Sequence, residues 1–215
     1  MKNVKFAITV LLLAVTSALP VTARTVRDFF AAENGGIFVS LPHDTRLDML
    51  DYYEAGRKMP MGNNFGGTAV IDTLASDYLQ VRTSASSRVE ILLAASKRDT
   101  VIYVVTTYML PAADSHVAAY NKNWEILNTS KYFKMPRIQD FIAIPKGDKT
   151  RRNDLAALAK IPTFECRINP ADKSITVSPT VKGTMTVEDY DKLKPYLATH
   201  INYELKNTKF KETKK

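Results

Sequence analysis

The sequence predicts an α+β domain built on an antiparallel β-meander sheet of about five strands that packs against helices, with a smaller C-terminal α/β extension. Between residues 68 and 127, strand-length runs rich in valine, isoleucine, threonine and tyrosine alternate with polar breaks of two to six residues. Connections this short join antiparallel neighbours, because a parallel crossover needs a dozen residues or more. On either side of this region, helical and strand patterns come in blocks rather than one for one, which favours α+β over α/β.

The first 23 residues have the three parts of a secretory signal peptide. Two lysines precede a ten-residue apolar run (6–15), and small residues then lead to Ala23, the expected last residue of the signal. A membrane-spanning helix needs about 20 apolar residues, and no cysteine near Ala23 offers a site for a lipid anchor. We therefore expect a soluble, exported protein, periplasmic or secreted, without a membrane span.

Two helices are predicted between the signal and the sheet. Residues 26–33 place Val26, Phe29 and Phe30 on one helical stripe. A capping-box pattern from Thr45 to Asp48 predicts a second helix over 46–55 that ends at Gly56. The residues expected to point inward from it are Leu47, Leu50 and Tyr53. Residues 60–67, rich in glycine and asparagine, are expected to form a mobile connection.

The predicted strands of the meander are 68–74, 77–83, 88–95, 100–110 and 116–127. The fourth is apolar on both faces, so we expect it to be covered on both sides. The fifth carries Tyr120, Trp124 and Ile126 at alternate positions of one face.

In the C-terminal third, the pattern predicts a helix that Asn153 or Asp154 caps and that runs through Lys160. A further helix is predicted to begin at Thr186 and to end at Pro195. The latter helix is expected to turn Val187, Tyr190 and Leu193 inward. Strands are predicted at 163–168, 174–178 and 201–205. We expect a single domain over 24–205, with two lobes meeting near 135–150 as the alternative, and a basic disordered tail over 206–215.

Composition and charge exclude several classes of protein. The 45% hydrophobic content excludes disorder for most of the chain, and the single cysteine excludes a disulfide scaffold. Two of the eight excess positive charges lie in the signal, and the last ten residues hold five lysines and one glutamate. The body therefore has only a small positive excess and no clustered basic patch, so nucleic-acid binding is not expected.

Three stretches of the mature chain carry a resemblance to a known family. They are 46–56, 77–79, and 111–115 taken with Tyr120 and Trp124. Together with the signal peptide they resemble a family of secreted proteins of Bacteroidales bacteria that is classed as a domain of unknown function. The resemblance is best over 26–145 and implies a compact exported domain of about this length. It implies no activity, cofactor or catalytic residue.

The strongest candidate polar cluster lies on the second predicted helix. Its members are His43, Asp44, Asp48, Asp51 and Glu54. Asp44, Asp48 and Asp51 share one helical face and could offer oxygen ligands to a hard cation. No spaced loop of the EF-hand type accompanies them, so a solvated face that serves the helix N-terminus is the favoured interpretation. Three histidines without ligand spacing make a zinc site a poor hypothesis, and we expect no metal or other cofactor.

Nucleophilic catalysis has two weak candidates. Asp114, Ser115 and His116 have the residue types of a hydrolase triad. However, neighbours on a strand point to opposite faces, and no nucleophile elbow surrounds the serine. Cys166 alternates with Phe164 and Ile168, which favours a buried thiol over a reactive one. Tyr120 and Trp124 are candidates for an aromatic surface that holds a glycan, although aromatic residues at this spacing more often belong to a core.

Taken together, these observations favour a non-enzymatic periplasmic or surface-associated binding or interaction module with an unknown protein or glycan as its ligand. The alternative is a hydrolase of the glycoside type that uses carboxylates from separate elements. A third hypothesis is a structural or assembly factor that depends on the lysine tail.

Overall fold

In the computed structural model, the described residues are 24–33, 36–96, 99–145 and 147–213. The predicted signal peptide, 1–23, lies outside them. The described chain forms two antiparallel sheets and four α-helices, so the α+β prediction is confirmed.

The larger sheet is a six-stranded meander whose strands lie side by side in chain order. Its strands are β1 (Met61–Gly62), β2 (Thr68–Leu74), β3 (Tyr78–Ser84), β4 (Ser87–Ala95), β5 (Thr100–Tyr108) and β6 (Asp114–Tyr120). Short turns join them, as between Ser84 and Ser87, and each neighbour pair is therefore antiparallel. The predicted meander thus gains one short strand, β1, inside the segment expected to be a loop.

The second sheet contains four antiparallel strands in the order β10-β9-β8-β7. They are β7 (Phe164–Asn169), β8 (Ser174–Pro179), β9 (Ile201–Lys206) and β10 (Lys209–Glu212). The helices are α1 (Val26–Ala32), α2 (His43–Glu54), α3 (Lys149–Leu158) and α4 (Val187–Leu193). The longest of these described helices, α2, has 12 residues, and none has the length and apolar character that a membrane crossing requires.

Two apolar cores cover the two faces of the larger sheet. On one face, Ile102 and Val104 of β5 pack in a core with α1 and α2. On the other face, Tyr103 and Val105 of β5 pack in a core with the second sheet, including Cys166. Strand β5 is therefore covered on both sides, as its two apolar faces predict.

Helix α2 starts three residues earlier than the capping-box pattern predicts. Pro42 occupies the N-cap position and its carbonyl accepts the first helical bond, from the Arg46 N–H at 3.0 Å, so Thr45 lies inside the helix. The shift changes the inner stripe. Its buried residues are Arg46, Met49 and Leu50, whereas Leu47 and Tyr53 are only half-buried.

The fifth predicted strand is too long, because the chain reverses after Tyr120. The Asn121 side chain accepts hydrogen bonds from the backbone N–H groups of Asn123 and Glu125, at 2.9 and 3.1 Å. This asparagine-centred turn brings Ile126 back to pair with Tyr120.

The predicted disordered tail is wrong for residues 206–213, while 214 and 215 lie outside the described residues. Asn207 adopts a φ of 57°, which closes a tight hairpin between β9 and β10. Phe210 of β10 is buried against Tyr103 and Phe133, with ring centroids 4.8 and 6.0 Å away. Burial of this aromatic side chain and pairing with β9 order a segment whose composition is otherwise that of a solvated tail.

The C-terminal helices follow the prediction in part. Thr186 caps α4 by accepting from the Asp189 N–H, as expected, but Val187 is 78% exposed because the helix packs through its last turn at Leu193. Helix α3 starts at Lys149 instead of beyond Asn153. The Asp148 side chain caps it by accepting from the Arg151 N–H at 3.0 Å, an earlier cap than the predicted one.

Candidate functional site

The predicted polar cluster lies on the solvent side of α2, away from the grooves described below. Its members are His43, Asp44, Asp48, Asp51 and Glu54. Arg27 of α1 binds the last two, with its guanidinium 2.5 Å from Glu54 and 3.7 Å from Asp51, and these contacts join the two helices. The Asp44 side chain is 98% exposed and lies 3.2 Å from the ring of His43. Over the described ranges, no three His, Cys, Asp or Glu side chains are grouped so as to hold a metal ion.

Ser115 and Cys166 meet, but in a structural contact between the two sheets. The Cys166 backbone N–H donates to the Ser115 hydroxyl oxygen at 2.9 Å, and Ser115 shares a second hydrogen bond with the Thr107 hydroxyl at 2.8 Å. Burial raises the pKa of the Cys166 thiol to about 12. His116, the neighbour of Ser115, points to the opposite face of the sheet and lines a hollow there.

Side chains of the first sheet cap the open edge of β7. Three backbone N–H groups of β7, at Phe164, Cys166 and Ile168, lie at every second position of the strand and face the first sheet. Phe164 donates to the Asp114 carboxylate at 3.1 Å, and Ile168 donates to the Glu90 carboxylate at 3.2 Å. Between them, the Cys166 N–H donates to the Ser115 hydroxyl. The Asp-Ser pair of the triad-like sequence therefore serves to join the two sheets.

A buried charge network reinforces the same interface. Arg88 and Glu90 of β4 are 2% and 1% exposed and form an ion pair at 3.0 Å. Arg88 also reaches Glu165 of β7 at 3.2 Å, and Tyr78 donates to Glu90 at 2.8 Å. Burial first, and then the nearby Glu90 charge, raises the pKa of Tyr78. Since each charge has hydrogen-bond partners, the network is suited to holding the sheets together.

The candidate binding site is a groove on the opposite face of the larger sheet, beyond the ends of α1 and α2. Two adjoining hollows, of about 390 and 450 Å³, share the residues Gly36, Ile37, Thr106 and Tyr108. We call their union the sheet groove. Its floor consists of side chains from β3 to β6, namely Thr83, Ser84, Ser87, Val89, Val104, Thr106, Tyr108, His116, Ala118 and Tyr120. Its walls are the loop segments 36–40 and 63–67, which contribute Ile37, Val39 and Phe65.

Arg46 and Glu33, both buried, hold the first wall in place. The Arg46 guanidinium donates to the carbonyls of Phe30 and Leu41, at 3.0 and 2.8 Å, and also to the carbonyl of Glu33. Burial lowers the pKa of Arg46. The Glu33 carboxylate accepts from the N–H groups of Gly36 and Ile37, at 2.7 and 3.0 Å. The shape of this wall is thus fixed by charge-assisted hydrogen bonds to backbone groups.

Asn63 holds the second wall, which the sequence predicts to be a mobile connection. Its side-chain oxygen accepts from the N–H groups of Phe65 and Gly67, at 3.0 and 2.9 Å, and its amide donates to the Thr83 carbonyl at 2.9 Å. Gly66 has a φ of 77°, a conformation that favours glycine. The turn so formed leaves Phe65 with 76% of its surface exposed.

Tyr120 and Trp124, the candidates for an aromatic surface, lie at one end of the groove. The Tyr120 and Trp124 rings contact edge to face, with centroids 5.5 Å apart, and Tyr120 lines the sheet groove. Trp124 has a φ of 63° in the turn after β6, and its indole N–H donates to the Phe29 carbonyl at 3.2 Å. These contacts fix the indole at the side of α1, where it is half-buried and packs against the core of α1 and α2. Beyond it, Trp124 lines an open cleft of about 560 Å³.

The sequence alone misses most of the groove. Ile37 and Val39 belong to a short apolar run, and Tyr108 belongs to a predicted strand, so neither pattern distinguishes them from core residues. Besides Tyr120, which the sequence already suggests, Phe65 carries a signal, since it is a large apolar residue inside a loop of asparagine and glycine.

Comparisons with known proteins give a family but no function. Residues 18–210 match the family described as "Protein of unknown function (DUF3256)". No protein of curated function matches the sequence. A solved structure, described as a domain of an uncharacterized protein from Porphyromonas gingivalis W83, superposes with a TM-score of 0.75 at 20% sequence identity. The match covers 88% of this chain and 98% of that one, and at this identity it establishes a shared fold.

Proposed function

This chain belongs to the family of proteins of unknown function DUF3256, and we propose that it is an exported, non-enzymatic binding module whose sheet groove receives an apolar segment of a partner protein. The predicted resemblance to a family without assigned function is confirmed at that level, and the structural relative comes from a Bacteroidales species. Beyond this family membership, we propose the secretion and the binding role.

The observation that carries the proposal is the grouping of exposed apolar side chains around one groove. Val39, Phe65 and Tyr108 are 61%, 76% and 60% exposed, and all three line the sheet groove. Full burial of a large apolar side chain is worth about 1.5–3 kcal/mol. Such a patch on a protein with a well-packed core is typical of a surface that another molecule covers.

The lining of the groove favours binding over catalysis. Among the described lining residues, the ionisable side chains are His116, Tyr108 and Tyr120, and no carboxylate is included. Glycoside hydrolysis needs two carboxylates about 5–9.5 Å apart at the bond that breaks. The carboxylates on α2 lie elsewhere, and two of them bind Arg27. These features support a non-enzymatic module over the hydrolase alternative.

A protein segment fits the groove better than a glycan does. Sugar rings stack on flat aromatic faces, whereas this groove combines its aromatic rings with the aliphatic groups of Ile37 and Val39. Hydroxyl groups of Ser40, Ser84 and Thr106 also line the groove, where they can bond to peptide N–H and C=O groups. An extended peptide offers both kinds of group in alternation.

Export is tested by N-terminal sequencing of the protein recovered from the periplasm or the medium. We expect Arg24 as the first residue, because cleavage should follow Ala23. An intact Met1 in the cell-free fraction, or a chain confined to the cytoplasm, would contradict export.

The groove is tested by selecting displayed hexapeptides on the wild-type mature chain and measuring the affinity of the winners by calorimetry. The groove variant Phe65→Ser/Tyr108→Ser should bind them at least tenfold more weakly. The matched control Ile161→Ser/Val187→Ser removes two apolar side chains of 63% and 78% exposure that do not line the groove, and it should bind like the wild type. Failure to select any peptide, or equal weakening in both variants, would refute the proposed site.

A further inference from the structure

The sheet groove continues into the cleft beside Trp124. Gly36 lines both hollows of the groove and also the cleft. Tyr120 lines the groove, and its ring contacts the ring of Trp124, which lines the cleft. A ligand that lies in the groove can therefore extend across the Tyr120 ring and reach the cleft without leaving the surface.

The length of this path corresponds to a short extended peptide. The floor crosses four neighbouring strands, β3 to β6, and neighbouring strands lie about 4.8 Å apart, so the floor is about 14 Å wide. An extended chain advances about 3.3 Å per residue. About four residues span the floor, and further residues reach the Trp124 cleft.

The two ends of the path differ in charge. At the Phe65 end the lining has no charged side chain, whereas the cleft at the other end is lined by Arg24 and Lys122. Glu33 also lines the cleft, but its carboxylate accepts from two backbone N–H groups and faces Arg46 at 3.9 Å. Asp28 offsets part of the Arg24 charge. The pKa of Asp28 is lowered first by the hydrogen bond from the Thr25 backbone and, less strongly, by the charge of Arg24. Among the described residues that line the cleft, two cations therefore stand against one carboxylate.

Other groups at the cleft suit a carboxylate. The Arg24 guanidinium lies 4.4 Å from the centre of the Phe29 ring, so an aromatic face positions it. Asn123 adds an amide donor to the lining, between Lys122 and Trp124. A guanidinium and an ammonium form strong, charge-assisted hydrogen bonds to carboxylate oxygens, and an amide N–H adds a weaker, neutral one.

We propose that the occupant of the sheet groove is an extended peptide that carries a carboxylate at the end lying against Trp124, where Arg24 and Lys122 bind it. This inference rests on the proposed function and adds the ligand's polarity and direction. The carboxylate belongs either to an Asp or Glu side chain or to a free C-terminus, and both present the same group to the two cations.

The test uses Trp124 as a reporter, because it is the single tryptophan of the chain. The hexapeptides selected on the wild-type chain are synthesised with an Asp or Glu, with the matching Asn or Gln, and as C-terminal acids and amides. We expect the carboxylate forms to change the tryptophan emission and to bind three- to tenfold more tightly than their neutral counterparts at low salt. Comparison of the C-terminal acids with the C-terminal amides shows whether the carboxylate comes from the C-terminus or from an Asp or Glu side chain.

Charge-matched variants complete the experiment. Arg24→Gln/Lys122→Gln should abolish the preference for carboxylate, whereas Arg57→Gln/Lys160→Gln, which removes the same charge from exposed positions outside the lining, should keep it. Peptides that need Phe65 but ignore both the carboxylate and the Arg24/Lys122 pair would overturn this inference and leave the proposed function intact. Saturable emission changes with maltohexaose or chitohexaose and none with peptides would overturn both.

Discussion

The backbone N–H of Cys166 donates to the hydroxyl of Ser115 at 2.9 Å, although the two residues are 51 positions apart in the chain. With Asp114 and Glu90 on either side, this bond closes the edge of β7 that would otherwise expose a row of unpaired donors. The first sheet thus supplies, through side chains, what a neighbouring strand would supply through its backbone.

Replacing Ser115 with alanine should therefore destabilise the protein. The change leaves the Cys166 N–H without its acceptor in a buried position, and we expect a loss of about 1–3 kcal/mol in the free energy of unfolding, measured with urea. Ser178→Ala on β8, where the hydroxyl is half-exposed, should cost less than about 0.5 kcal/mol. Equal stability of the two variants would show that the cap contributes nothing.

Alkaline pH should destabilise the fold. Burial raises the pKa of Cys166 from 9.0 to about 12, and it also raises the pKa values of Tyr78, Tyr103 and Tyr203. Between about pH 9 and 12 the unfolded chain loses these protons while the folded chain keeps them, so the free energy of unfolding falls as pH rises. Each group contributes a slope of at most about 1.4 kcal/mol per pH unit.

Urea unfolding at pH 8, 9, 10 and 11 measures this slope, and Cys166→Ala should reduce it. In the native protein at pH 8 the thiol should resist a disulfide reagent that labels it fully in urea. Rapid native labelling, or stability independent of pH over this range, would contradict the buried state of these groups.

Phe210→Ala should destabilise the protein by about 3–5 kcal/mol, because it empties a site between Tyr103 and Phe133 in the main core. The adjacent exposed residue provides the control, and Lys211→Ala should change stability by less than about 0.5 kcal/mol. Thermal or urea unfolding separates the two cases. If Phe210→Ala matches the control, the segment is the solvated tail that its composition predicts.

Arg88→Met should cost about 3–5 kcal/mol, since it leaves the buried Glu90 carboxylate without its counter-ion. Arg82, the cross-strand partner of Arg88, pairs with Asp72 at 2.8 Å but is 55% exposed, so Arg82→Met should cost less than about 1 kcal/mol.

In a double-mutant cycle, Arg88→Met/Glu90→Gln should cost less than the sum of the single changes. Strict additivity of the two would indicate that the pair does not interact in the folded state.

The parts of the fold that depend on local pattern are those the sequence predicts. The strands follow from alternation and short polar turns, and the stripe of Val26, Phe29 and Phe30 on α1 follows from helical spacing. Thr186 caps α4 as its position predicts. Each of these features is decided within about ten residues of chain.

The rest depends on contacts between distant parts of the chain. Arg46 is buried because carbonyl groups of Phe30, Glu33 and Leu41 converge on it, and helical spacing gives no sign of that convergence. Phe210 is held in place by its contact with the ring of Tyr103 on β5. The groove exists because Phe65 and Tyr108, far apart in sequence, border one face of the sheet. Tyr120 and Trp124 were the exception, since their proximity along the chain makes them visible to sequence patterns.

The bond between β6 and β7 also has a kinetic consequence. Hairpins of the meander close across turns of a few residues, while the Ser115–Cys166 contact closes a loop of 51 positions and brings a larger entropic barrier. On dilution from denaturant, we expect the meander to assemble before the second sheet. Strand β7 then docks onto a surface that already exists, and the acceptors on β4 and β6 act as its template.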